Sequence, residues 1–527
     1  MHFSTTIDRL KSSFGKLKEE SFDFELIEKY FRKKNHSSAL QTLSEKTCND
    51  LDFNELFMFL DRTNSKVGQQ YLYNRLRNIP ADADKTVLHE NIIQKLSADA
   101  DLRVKTQIEL EKLKKNDAYY ISSLFQEEQV QPPKHFFVFR LLSFTSLMCI
   151  LFIPFNPQLL MVLIAVIVTN LVIHYRNKRH LYQYLVSIPQ LLILNKTAGK
   201  LSENQTFNHI NPALAQSIRI INQIKRRMSL FQLEAGLQSD IQDVFWTMLE
   251  LIKIVFLLEP LLLFDVLKRL ETKREEIEEV FSFIGEVDML VSIASLRAGL
   301  DFYCLPAIKE SVFSITDIYH PLIFQCVPNS IELKGKSALL TGSNMSGKTS
   351  FIRAIGINTL TALTINTCFA RSMTTPRMRI YSAIRISDDL LNDKSYYFEE
   401  VLTIKDMMTR SREQTQNLFL LDEIFKGTNT VERISAGKAV LSYLTENQNI
   451  VFVATHDIEL TDMLSEQYDL YHFSEIIKDK NVGFDYTLKA GKLQNRNAIR
   501  ILQINDYPEN VISEAIKTAQ KLDEEKA

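Results

Sequence analysis

Ser337-Ala338-Leu339-Leu340-Thr341-Gly342-Ser343-Asn344-Met345-Ser346-Gly347-Lys348-Thr349 is an apolar run that ends in a complete G-x-x-x-x-G-K-T. The run predicts a buried strand and residues 350–364 predict a helix, so the glycines sit at a strand-to-helix turn. Without a Cβ they let the backbone turn tightly, so that successive N–H groups face phosphate oxygens. The helix opening near Lys348 adds the positive end of its dipole. Gly342, Ser343, Asn344, Met345, Ser346, Gly347, Lys348, Thr349 and Ser350 are therefore the candidate phosphate cradle of a nucleoside triphosphate. Lys348 is expected to reach the β- and γ-phosphates as a point charge, and the Thr349 hydroxyl to ligate Mg²⁺.

Downstream, Leu418-Phe419-Leu420-Leu421-Asp422-Glu423 is a second apolar run, ending in two carboxylates. Such a strand buries itself and delivers both acids at its carboxyl end: Asp422 to the Mg²⁺ shell, Glu423 to the attacking water as general base. Val451-Phe452-Val453-Ala454-Thr455-His456 is a third, with an imidazole at the tip that can meet a γ-phosphate or the lytic water. About thirty residues separate the acids from this histidine, room for one helix over 431–445 and one strand. The candidate catalytic residues are Lys348, Glu423 and His456, and the candidate metal ligands Thr349 and Asp422.

The remainder of the chain has a different texture. Its 527 residues exceed one ordinary core, and 45% apolar with 24% charged residues is a globular composition. With 62 basic against 64 acidic residues, contact with nucleic acid has to come from local patches such as Lys225-Arg226-Arg227. The five cysteines, Cys48, Cys149, Cys304, Cys326 and Cys368, show no C-x-x-C spacing, which reads as reduced cytosolic thiols without a zinc site among them. The amino terminus lacks the apolar stretch of a cleavable signal peptide.

Between Arg140 and Arg176 no Lys, Arg, Asp or Glu occurs, and Pro154-Phe155-Asn156-Pro157 breaks the run once. The pattern predicts a transmembrane helical hairpin, 136–155 and 158–175, each segment close to the thickness of a hydrocarbon core. Arg140 before the pair and Arg176, Lys178 and Arg179 after it place both flanks in the cytoplasm, at the inner membrane. The alternative is an apolar hairpin packed in a core or a dimer interface. Residues 246–267 are also very apolar, but Glu250, Lys253 and Glu259-Pro260 favour a buried core helix over a further span. The expected organisation is a helical cap (1–50), the first part of a helical core (51–131), the hairpin region (132–180), the second part of the core (181–312) and an α/β nucleotide-binding domain with a helical tail (313–527).

These motifs resemble the MutS family of DNA mismatch-repair ATPases, of the ABC type. Thr341 to Thr349 is similar to T-G-P-N-M-x-G-K-S/T, with Arg353 in register on the next helix. Asp422-Glu423-Ile424-Phe425-Lys426-Gly427-Thr428 is similar to D-E-I-G-R-G-T, and Ala454-Thr455-His456-Asp457-Ile458-Glu459-Leu460 to A-T-H-x-x-E-L. Asp388-Asp389-Leu390 with Ser395-Tyr396-Tyr397-Phe398-Glu399-Glu400 resembles D-D-L…S-T-F-x-x-E, and Leu60-Asp61-Arg62-Thr63 with Gly68 resembles the start of the family's helical core. The resemblance implies an ATPase using ATP and Mg²⁺, and a homodimer in which Ser395 touches the γ-phosphate held by the opposite subunit. It also implies a helical region that grips DNA. Three departures stand out. Only about 50 residues precede the core, less than one independent domain, so the mismatch-reading domain is not expected. Phe425 and Lys426 replace Gly and Arg, and Cys326 stands where a larger residue stacking on adenine is expected. The rival expectation is a membrane-anchored scaffold ATPase that grips protein or lipid.

Overall fold

A computed structural model describes the chain except for residues 1, 83, 129, 225–227, 229–242, 344, 386–395, 479–480, 494–498, 500–501, 504–506 and 525–527. It divides into two compact units. One is helical and comprises Met1–Ser37, Leu60–Arg77 and Ala83–Gly299; the other comprises Ser38–Phe59, Asn78–Asp82 and Leu300–Ala527.

The helical unit includes α1 (Lys66–Arg77), α2 (Phe136–Phe152), α3 (Leu159–His180), α4 (Asp243–Phe256), α5 (Leu258–Glu271) and α6 (Arg274–Ala298). Every residue of α6 from Phe283 to Arg297 is buried, so this helix is the spine of the unit. Where α1 crosses it, a Cβ at Gly68 would lie 2.2 Å from Asp288 Oδ2, and one at Gly285 would lie 2.5 Å from Tyr71 Cβ. Both glycines are there for close approach. The Asp288 carboxylate accepts from the Ser65 N–H (2.7 Å), the Ser65 hydroxyl (2.6 Å) and the Asn64 N–H (2.8 Å). It thereby caps the amino terminus of α1 from a distant part of the chain. Burial pushes its carboxyl above the ordinary range despite these donors.

The α2–α3 pair forms the expected hairpin, with unequal arms. Leu159–Asn177 is 19 residues of mean hydropathy 2.0, long and apolar enough to cross a membrane by length and composition, and only 17% of its span is buried. Its partner α2 has 17 residues and stops at Phe152, the residues to 155 forming a turn. The stretch 246–267, expected as one buried helix, is broken. Pro260 cannot donate to the carbonyl four residues earlier and crowds it, so α4 ends at Phe256 and Leu257 turns the chain in the left-handed region (φ 47°). Beyond the turn, α5 is buried through Leu263, Phe264, Val266 and Leu267. Before it, α4 packs on α2 and α3 and leaves Met248, Leu251 and Ile252 exposed.

In the second unit, β1 (Ser337–Thr341), α7 (Lys348–Ile365), β2 (Arg379–Ala383), α8 (Tyr396–Arg410), β3 (Asn417–Asp422), α9 (Thr430–Leu444), β4 (Ile450–Thr455), β5 (Tyr468–His472) and β6 (Lys489–Ala490) build one sheet and its helices. The strand order is β6-β5-β1-β4-β3-β2, parallel except for the short edge strand β6. β1 and β4 are buried at every position, as strands covered on both faces must be. Alternation along β3 sends Phe419 and Leu421 into a core with Ile404 and Met407 of α8 and Leu441 and Leu444 of α9. Leu420 faces α7, where a Cβ at Gly356 would meet its Cδ1 at 2.6 Å. Thr341 pairs with Thr455, and Ala454 with Asp422, so the tips of β1, β4 and β3 are level.

The segment 38–59 belongs to this unit, whereas the sequence divides it between a cap and a helical core. Charge fixes it there. Buried Asp50 accepts from the Ser382 hydroxyl (2.6 Å) and the N–H groups of Ile384 (3.1 Å) and Arg385 (2.8 Å) at the end of β2. Asp52 pairs with Arg353 of α7 (3.2 Å) and with Arg385 (2.5 Å).

Candidate nucleotide-binding site

The turn after β1 needs both of its glycines. Gly342 has φ 147° and Gly347 φ 108°, and a Cβ at Gly342 would sit 2.6 Å from the Phe473 carbonyl. Between them the Ser346 hydroxyl donates to the Ser343 carbonyl (2.8 Å), and Met345 points outward, 82% exposed. Lys348 opens α7, and its Nζ donates back to the carbonyls of Gly342 (2.7 Å) and Ser343 (2.9 Å). Burial holds its ammonium below the usual lysine range. The Ser343 hydroxyl is buried without a hydrogen-bond partner.

Thr349 Oγ1 donates to Asp422 Oδ2 at 2.6 Å, which joins the helix start to the tip of β3. Asp422 Oδ1 is buried and unpartnered, and burial raises this carboxyl above its ordinary range. A hydroxyl and an orphaned carboxylate oxygen are hard oxygen donors, the set that suits Mg²⁺. Glu423 follows at φ 52°, its N–H donating to the Ala454 carbonyl of β4 (2.9 Å). Its carboxylate lies between His456 Nε2 (2.7 Å) and Lys426 Nζ (2.7 Å). The hydrogen bond from His456 and the charge of Lys426 hold its pKa at about 2.

The expected constellation is therefore assembled at one place: Lys348, Thr349, Asp422, Glu423 and His456, with Nζ of Lys348 also 3.4 Å from His456 Nε2. A cavity of about 430 Å³ adjoins it, lined by Ser343, Lys348, Thr349, Ser350 and Glu423 and by Ile323, Phe324 and Cys326. Asn344, Ser395, Asp388 and the basic stretch 225–227 lie outside the described residues.

Two contributors were not singled out from the sequence. Lys426 appears there only as a departure, yet its ammonium is one of the two groups that hold the Glu423 carboxylate. Glu400, buried at the foot of α8, accepts the Phe425 N–H with Oε1 (2.5 Å) while its other oxygen is buried without a partner. It anchors the turn that carries Glu423. That turn holds Phe425 at φ 61°, a backbone state costly for any side chain, which explains why the resembling motif has glycine there.

Residues 338–523 match the family model of MutS domain V. That stretch is similar to the nucleotide-binding domain V of MutS proteins. The chain is 30% identical over 258 residues to the DNA mismatch repair protein MutS of Aquifex pyrophilus, a match that covers 46% of this chain and 30% of that protein. The MutS protein of Bacillus licheniformis is 24% identical over 340 residues (62% of this chain, 39% of that protein) and that of Thermotoga petrophila 25% over 332 (61% and 42%). The chain thus matches less than half the length of these relatives, and the matched domain contains Lys348, Asp422, Glu423 and His456.

Proposed function

We propose that this chain is a MutS-family protein that binds and hydrolyses ATP as a homodimer, each copy completing the other's site, and that the helical unit grips DNA while the α2–α3 hairpin tethers the protein to the inner membrane, with the nucleotide site in the cytoplasm. The observation that carries the reading is the Thr349–Asp422 contact at 2.6 Å beneath the phosphate-cradling turn, with Asp422 Oδ1 left over for a cation. Mg²⁺, held by Thr349 and Asp422, would neutralise phosphate charge.

The chain's own groups do the remainder. Lys348 exchanges its two backbone carbonyls for phosphate oxygens, a charge-assisted gain that also relieves its burial. Glu423 is ionised throughout the physiological range and orients and polarises the attacking water, while His456 and Lys426 hold its carboxylate in place. Dimer closure is favoured only while the γ-phosphate is present, since that group is bound from both sides of the interface. DNA as the ligand follows the printed function of the relatives. The tether is supported by the outward apolar side chains of the hairpin, among them Phe137 (64% exposed), Met161 (80%) and Val172 (60%).

The test uses purified full-length protein. ATP turnover with Mg²⁺, dimerisation on a non-hydrolysable analogue and salt-dependent binding of duplex or branched DNA are the expected outcomes. A chain that stays monomeric with saturating analogue and turns over nothing refutes the ATPase reading; absence of DNA binding at low salt refutes the DNA reading alone. Release from membranes by high salt or carbonate refutes the tether.

A further inference from the structure

The interior of the apolar hairpin is not apolar. His174 of α3, 1% exposed, meets two carboxylates: Glu250 of α4, whose Oε1 is 3.3 Å from Nε2, and Glu259 of α5, whose Oε2 is 3.6 Å from Nδ1. Lys253, also 1% exposed, lies between the same two acids, 3.1 Å from Glu250 Oε2 and 2.8 Å from Glu259 Oε1. Asn170, one turn before His174, donates to the Val255 carbonyl (2.8 Å) and so fastens the last turn of α4 to α3.

Two facts make this more than an ion-pair cluster. First, a neutral imidazole has one N–H and one lone pair, so with a carboxylate facing each ring nitrogen one lone pair always points at an acceptor. With the proton on Nε2, donated to Glu250, the lone pair of Nδ1 faces Glu259 Oε2; this nitrogen is buried and has no hydrogen-bond partner. Second, Glu259, whose side chain is 7% exposed, shares the Lys253 ammonium with Glu250 and faces a ring nitrogen on its other oxygen, an arrangement that a second positive charge would stabilise. Both favour a cation bound between His174 and Glu259. One ligand atom from each of His174, Glu250 and Glu259 can be chosen so that all lie within 4.8 Å of one another.

We propose that His174, Glu250 and Glu259 form a site for one divalent metal ion of the zinc type, held inside the helix hairpin, with Lys253 as the internal cation that the metal displaces. One imidazole and two carboxylates are a borderline nitrogen–oxygen set that suits Zn²⁺, Mn²⁺ or Co²⁺ better than a soft ion. Two carboxylates cancel one divalent charge, which makes the Lys253 ammonium surplus. Entry is past Glu250, whose side chain is 21% exposed while those of His174 and Glu259 are 0% and 7%. Bound metal would tie α3, α4 and α5 together across the break at Leu257. The site is independent of nucleotide chemistry.

The experiment is metal binding to the full-length chain in detergent, stripped with chelator and free of nucleotide and Mg²⁺. Dialysis against Zn²⁺ or Co²⁺, followed by elemental analysis, should find about one ion per chain, with imidazole-ligated Co²⁺ absorption and a raised thermal midpoint. Glu259→Gln and His174→Gln should weaken binding by roughly tenfold or more. Lys253→Met removes a competitor instead of a ligand, so it should be less stable in chelator, recover with Zn²⁺ and bind at least about tenfold tighter than the parent. Failure of both the parent and Lys253→Met to retain metal would leave an imidazolium proton as the second positive charge and overturn the proposal. Unchanged binding in both ligand variants would overturn it equally.

Discussion

Two carboxylates, a lysine and a histidine come together twice among the described residues. At the tips of β1, β3 and β4 they are Asp422, Glu423, Lys348 and His456; inside the hairpin they are Glu250, Glu259, Lys253 and His174. The first set rides on turns at the ends of buried strands, where parallel pairing levels the tips and the residues open onto a cavity. The second set rides on helix faces and is shut in by them. Strand ends display charge to a ligand, while helix interiors bury it and demand a counter-charge. The same four residue types are thereby put to reaction chemistry in one unit and, on our proposal, to ion holding in the other.

That contrast can be broken by mutation. The largest effect is expected from Lys348→Ala, which should weaken binding of a fluorescent ATP analogue by roughly 10²-fold or more, since its ammonium sits directly on the Gly342 and Ser343 carbonyls of the cradle. A variant that binds normally would mean that the first cluster is structural like the second. Glu423→Gln should keep ATP binding and lower turnover by about 10²- to 10⁴-fold, measured under single-turnover conditions. If its rate equals the parent's, the water-orienting role fails. Gly68→Ala, in the helical unit, should leave nucleotide affinity unchanged and cost about 3 kcal/mol in denaturant unfolding, because its Cβ would overlap the Asp288 carboxylate.

The smallest effect concerns acid. Glu423 has a pKa of about 2 in the folded chain against 4.5 in the unfolded one, so its ion pairs contribute fully above pH 4.5 and are lost as pH falls toward 2. Lys426→Met raises the folded value, so the stability difference from the parent should be present at pH 6 and vanish by pH 2. Equal acid-unfolding curves would show that Lys426 does not hold the carboxylate.

Legibility followed the same division. Strand, glycine turn, acid pair and terminal histidine are each written within a few consecutive residues, so the sequence is enough to place Lys348, Thr349, Asp422, Glu423 and His456 together. Its blind spots are long-range. Glu250 and Lys253 read as charges too expensive for an apolar layer, because their partners His174 and Glu259 are on other helices. The membership of 38–59 in the α/β unit depends on Asp50 and Asp52, whose donors lie in 353–385. Phe425 is legible only as a departure from glycine; its left-handed backbone and the Glu400 anchor are tertiary facts.

Asp50 has a further consequence, for biosynthesis. It is 332 positions from Ser382 and 335 from Arg385, so a nascent chain emerging from the ribosome carries 38–59 without the donors that seat it until most of the polypeptide has been made. Translation that halts before that point leaves this early segment without the groups that seat its buried carboxylate.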